Sequence, residues 1–256
     1  MNEELIFNFK TNISTVTFPS KLNNPFASTI PKIAQIAAQE FQEFIASESQ
    51  KWKYDFQQQK GKMFGVLVVQ KKDTTYGYLG TISGVLSRSE ECEKFVPSIF
   101  DNSTDDFFIN KGMAELTQLG DKIKLADNEA EIKLLKEKRK LKSLDLQRQL
   151  FENSKFSNLS MDVKNVLQIF EDSSHGNPPS AAGECAAPKL LQHAFNHDLT
   201  PIAILEFWWG NAPKNKERKH KGFYPACKNK CRPILEFMLN DYGLFNQINR
   251  VKKPVV

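Results

Sequence analysis

Pro201–Ile202–Ala203–Ile204–Leu205–Glu206–Phe207–Trp208 is the stretch whose reading decides the fold. Its apolar, β-branched and aromatic content over eight residues predicts a buried strand. Helical patterns lie on both sides. Cys185 to Asn196 places Leu190, Leu191, Ala194 and Phe195 at helical spacing, and Pro225 to Leu239 starts as a loop and becomes a helix bearing Ile234, Leu235 and Met238. The one acid of the strand, Glu206, needs a polar partner if buried. Lys189, Arg232 or a group beside a metal are the candidates.

Working outward, Lys62 to Val69 is β-rich, Lys71–Lys72–Asp73–Thr74 is a polar turn, and Tyr76 to Leu86 is β-rich again, so an antiparallel hairpin is expected. Its glycines, Gly65, Gly77, Gly80 and Gly84, mark bulges or close backbone packing. Pro25 to Trp52 reads as a helix, with Pro31 in a first turn and Ile33, Ile36, Ala37, Phe41 and Phe44 forming one apolar stripe. From Lys111 to Phe151 there is no proline, and Leu116, Leu119, Ile123, Ala130, Leu134, Leu141 and Leu144 recur at near-heptad spacing among charges. That pattern predicts a long helix, or a helical arm paired back on the body. Val163 to Phe170 reads as a further short helix. The expected architecture is a single α/β domain over residues 1–256. A small β-sheet, the hairpin plus the 201–208 strand, is covered by helices, with a helical arm inserted at about 111–151.

Composition narrows the setting. Hydrophobic residues make up 40% and charged residues 25%, with 20 Phe, which argues for a folded core rather than disorder. No apolar run approaches the roughly 18 residues of a spanning helix, and the acidic start at Glu3 and Glu4 lacks the pattern of a secretory leader. A cytoplasmic protein is expected, with Cys92, Cys185, Cys227 and Cys231 as thiols or metal ligands rather than disulfides. The formal charge of +5 is unevenly spread: Lys214, Lys216, Arg218, Lys219, Lys221, Lys228, Lys230 and Arg232 fall in one stretch with Glu217 as its only acid. Such a stretch gathers phosphates by counterion release, or stands as a solvated basic loop. Trp209 beside it would stack bases if exposed and is core otherwise. Lys189 is a candidate phosphate contact.

Cys185 opens a predicted helix, and Cys227 and Cys231 lie at the start of another. Helix N-termini favour thiolates, because unpaired N–H groups and the dipole attract negative charge. Two such starts could converge on zinc or another soft metal, or carry plain thiols. His175, His193, His197 and His220 are the possible fourth ligands, His220 foremost because of its place in the basic loop.

Several motifs resemble the non-catalytic N-terminal region of RluA-type RNA pseudouridine synthases. They are Gly61–Lys62–Met63–Phe64–Gly65–Val66–Leu67–Val68–Val69, Gly77–Tyr78–Leu79–Gly80, Phe95 to Asp101, Phe107–Phe108, Pro178–Pro179–Ser180, Gly183 to Leu191, Glu206 to Gly210, and Phe223 to Cys227 with Cys231. The resemblance implies an RNA-associated accessory domain whose ligand is tRNA or ribosomal RNA, able to work beside a separately encoded synthase domain. That family isomerises through an Asp in a His-Arg-Leu-Asp-type motif, which is absent here, so no catalytic aspartate carries over. The order hairpin, Cys-bearing helix, strand, Cys-bearing helix is also similar to the zinc-dependent nucleobase deaminase fold. Two departures stand out. Three residues rather than two separate Cys227 from Cys231, and Ala187 occupies the position of the deaminase general acid/base. The leading expectation is a non-catalytic RNA-binding module; the alternatives are a zinc-dependent hydrolase acting on a nucleobase and an interaction module for a synthase domain.

Overall fold

A computed structural model describes residues 3–48, 51, 56, 60–84, 92–99, 108–213 and 217–244. Helix α1 (Lys32–Glu48) is followed by strands β1 (Lys62–Gln70) and β2 (Tyr76–Ile82) and the helical pair α2 (Phe108–Leu125) and α3 (Glu129–Asn153). A two-stranded ribbon, β3 (Lys155–Ser157) with β4 (Val163–Asn165), leads through α4 (Val166–Glu171) to α5 (Ala186–Asn196). Then come β5 (Thr200–Trp209), β6 (Phe223–Tyr224) and α6 (Lys228–Met238). The main sheet has the order β2-β1-β5-β6, and its pairings are antiparallel. The α/β class and the hairpin-plus-strand sheet agree with the sequence reading. No described helix is long and apolar enough to cross a membrane.

Alternation along the strands divides the core. Phe64, Val66, Val68, Ala203, Leu205, Phe207 and Trp209 face α1, whose Ile33, Ala37 and Phe41 complete one cluster. Leu67, Val69 and Ile204 face α5 and α6 on the other side, with Leu190, Leu191, Ile234 and Leu235. By the same alternation Glu206 and Trp208 belong to the α5 side. The Phe41 ring meets Phe7, Phe64, Phe95 and Phe207 at centroid distances of 5.5 to 6.3 Å, mostly edge to face, the geometry that aromatic quadrupoles favour.

Several boundaries differ from the sequence reading. Helix α1 starts only after Pro31, whose carbonyl accepts from Ala34 and Gln35; Pro25 instead sits in a loop, its carbonyl accepting from Ala226 N–H. The hairpin pairs without a bulge, the register slip lying between Val68 and Val69 against β5, so Gly65, Gly77 and Gly80 serve close packing, whereas Gly84 takes a φ of 85° with open space around it. A Cβ on Gly65 would lie 2.7 Å from the Ala186 Cβ, so α5 rests directly on β1 at that point. The 163–170 segment is half strand and half helix, because Asn165 makes a capping box with Gln168 that starts the helix at Val166. The arm is a helical hairpin broken at 126–128, where Asn128 caps α3. Its leucines do not form one seam: Leu116, Leu119 and Leu146 are buried, whereas Leu134, Leu141 and Leu144 are exposed. Trp52 and Val85–Leu86 lie outside the described residues.

Candidate metal centre

Two helix starts and one strand build the site. Cys185 is the extended N-cap of α5 (φ −75°, ψ 160°), and Cys227 is the extended N-cap of α6 (φ −65°, ψ 116°). Cys231 lies one turn on, its N–H donating to the Cys227 carbonyl at 3.3 Å. Because α5 runs into β5 and α6 follows β6, which pairs with β5, both helices start on the same sheet face. The three Sγ atoms lie within 4.8 Å of one another, and among the described residues they are the one such group of metal-binding side chains. Tetrahedral zinc with sulfur ligands at about 2.3 Å needs sulfurs roughly 3.8 Å apart, so the triangle fits with sub-ångström adjustment. Soft thiolates select zinc and similar ions.

The sulfurs are electrostatically unequal. Cys227, half-buried, is held well below the ordinary thiol range by the Cys185 and Cys231 thiols, with the Lys230 and Asn229 N–H groups of the α6 start adding to this. Cys185 is pushed up to about 12, chiefly because it shares its proton with Cys227. Cys231 is raised well above its usual value, mainly by complete burial. One thiolate with two thiols turned toward it is the arrangement that a soft cation displaces protons from.

Glu206, marked in the sequence as an acid that needs a polar partner, finds one that the sequence reading did not name. Its carboxylate is buried and Oε1 accepts from the Ala187 N–H at 3.0 Å. Burial pushes its pKa up to about 7, the Ala187 N–H opposing the rise. Its partner is thus neither Lys189 nor Arg232. The carboxylate arrives from β5 beside the backbone of Ala187. The signal was present: period-two alternation puts Glu206 on the face of the Cys-bearing helices. Glu206, Cys185 and Cys227 all line one cavity of about 1090 Å³, whose rim includes Lys60, Arg218, Lys228 and Lys230. Glu206 also lines a smaller cavity of about 140 Å³ with Asn23, Ala187 and Tyr224.

Three sequence assignments need correction. His220 is not a fourth ligand: its Nδ1 accepts from Gly210 N–H at 2.9 Å and its ring lies 4.4 Å from Trp209. Lys189 is not a surface contact for RNA, being 2% exposed and donating to the Gly84 carbonyl at 2.9 Å. Trp209 offers no stacking platform, because alternation turns it into the α1 core. Nor do the other histidines join the sulfurs: His193 and His197 stack on each other along α5 at 4.0 Å, and His175 is exposed. Arg218 lies 4.1 Å over the Tyr224 ring, and Arg232 is paired with Glu236 at 2.7 Å. Lys219, Lys221 and Lys228 are exposed, and Lys230 is partly so. Lys214 and Lys216 lie outside the described residues. Comparison with family models, curated proteins and solved structures gives no match.

Proposed function

We propose that this chain is a metal-dependent hydrolase of the nucleobase-deaminase type, with Cys185, Cys227 and Cys231 as metal ligands and Glu206 as the proton carrier. One observation carries the reading: a buried carboxylate, fixed by a single backbone N–H, shares a cavity with Cys185 and Cys227, two of three converging sulfurs. Zinc held by these residues would supply a Lewis acid and an activated water. The Ala187 N–H holds one oxygen of Glu206 and leaves the other to take and return a proton at the reacting atom, the task of a general acid/base. The α5 and α6 starts place positive dipole ends around the same point and favour charge building up there. The rim cations Arg218, Lys228 and Lys230 suit a base carried on phosphate.

The test is metal content and ammonia release measured together on nucleobases, nucleosides, nucleotides and single-stranded oligonucleotides. Near-stoichiometric zinc is expected, retained in Glu206→Gln while turnover falls by about 10²–10⁴-fold. Metal-free purified protein, or full turnover in Glu206→Gln, would sink the reading.

The basic rim favours a second reading, an RNA-placing module related to pseudouridine synthases that works without chemistry of its own. Under it, Arg218→Ala with Lys228→Ala and Lys230→Ala weakens RNA binding and flattens its salt dependence, while Glu206→Gln changes nothing. Unchanged RNA affinity in the triple variant would count against it.

A further inference from the structure

Of two opposite faces of helix α3, the fold covers one. Toward α2 it turns Arg139, Lys142 and Leu146: the Arg139 Nε donates to the Leu116 carbonyl at 3.4 Å, Lys142 pairs with Glu115 at 2.8 Å, and Leu146 covers Gly112. The opposite face carries Ala130, Leu134, Glu137, Leu141, Leu144 and Arg148, all exposed. Their spacing of four, three, four, three and four residues is that of a heptad seam. Leu134, Leu141 and Leu144 stand 70%, 58% and 53% exposed, an unusual concentration of solvated leucine on one stripe.

The charges on the seam say what fits it. In an antiparallel pair of helices the two core positions of the heptad alternate across the interface. A two-fold axis between residues 142 and 143 sets Leu141 opposite Leu144 of a second copy, and Leu144 opposite its Leu141. The same axis sets Glu137 opposite Arg148, and Arg148 opposite Glu137. On one flank Lys138 then meets Asp145, again in both directions. A parallel pairing in register would instead stack Glu137 on Glu137 and Arg148 on Arg148, which like-charge repulsion opposes. Arg148 reaches Glu152 within its own helix at 2.9 Å, but that contact is exposed and screened by solvent.

We infer that the outer face of α3 is an isologous, antiparallel dimerisation seam, its occupant a second copy of this chain. A closed two-fold arrangement is what a self-complementary patch produces. The seam lies on the arm, so the inference stands apart from the chemistry proposed for the cysteines.

Charge swaps in the full-length protein test it, with sedimentation velocity across the micromolar range and circular dichroism to verify helix content. Wild type is expected to self-associate. Glu137→Arg and Arg148→Glu are each expected to raise the dissociation constant at least about tenfold, because each places like charges in two layers. An equimolar mixture of the two variants restores Glu–Arg pairing in both layers and should form heterodimers as tight as the wild-type dimer. A misfolded variant would not be rescued by mixing. Wild type that stays monomeric throughout, single variants that dimerise like wild type, or a mixture that stays monomeric would each overturn the proposal, and in the first case the seam belongs to a different partner.

Discussion

Replacing Gly65 by alanine probes how the sheet sets the position of Cys185. The added Cβ would sit 2.7 Å from Ala186 Cβ and 3.2 Å from Leu190 Cδ1, whereas carbon atoms rest about 3.5–4.0 Å apart. Both neighbours belong to α5, so its first turn must lift from β1 by roughly 1 Å. Cys185 caps that turn, and its sulfur lies in a triangle already up to 4.8 Å across. Widening it by a further ångström takes one corner out of reach of an ion that needs sulfurs about 3.8 Å apart. A stability loss of about 1–3 kcal/mol is expected from overpacking, together with a fall in zinc affinity of about 10–100-fold, the scale of disturbed ligand orientation. Chelator competition measures the affinity and urea denaturation the stability. Gly80→Ala is the control: its Cβ would strike the Phe41 ring on the opposite sheet face, so it should cost similar stability with zinc affinity intact. Equal zinc affinity in wild type and Gly65→Ala, or equal losses in both variants, would refute the argument.

Two further outcomes follow from the packing. His193 is lowered to about 4 by burial and by His197, so it stays neutral in the fold while the unfolded chain takes up a proton below about 6.5. Its contribution is therefore present above pH 6.5 and lost as pH falls toward 4, about 1–2 kcal/mol once partial exposure is allowed for; His193→Phe should flatten that acid limb in urea titrations, and an unchanged limb would contradict it. Asn23 extends β5 by bonding Ile204 in both directions, Nδ2 to the carbonyl at 3.1 Å and N–H to Oδ1 at 2.8 Å; Asn23→Ala should cost about 1–3 kcal/mol in denaturant unfolding, and a loss below half a kilocalorie, roughly the noise of such measurements, would show that water replaces the amide.

What could be read from residues alone was whatever local periodicity controls. The hairpin, β5 and the starts of α5 and α6 are set by apolar runs and breakers, which is why the convergence of Cys185 with Cys227 and Cys231 was foreseeable. The arm shows where periodicity misleads. A near-heptad run crossing the break at 126–128 looked like one seam, although its leucines in α2 (Leu116, Leu119) are buried and those in α3 (Leu134, Leu141, Leu144) are exposed, because spacing does not tell which face a neighbouring helix covers. His220, Lys189 and Trp209 failed for a related reason: each is a polar or amphipathic side chain whose fate depends on a long-range contact, with Gly210, Gly84 and the α1 layer respectively. Glu206 was legible as an anomaly in an apolar strand, but its partner is the backbone of Ala187, and a backbone donor leaves no mark on sequence.

The pairing of β1 with β5 joins Gln70 to Thr200, 130 positions further along the chain. During synthesis the apolar edge from Met63 to Val69 therefore waits for most of the polypeptide to emerge before its central neighbour exists. An unsatisfied strand edge of that kind invites other nascent chains to add to it. The yield of native protein should accordingly respond to translation speed and chaperone supply more than to the strength of any finished contact.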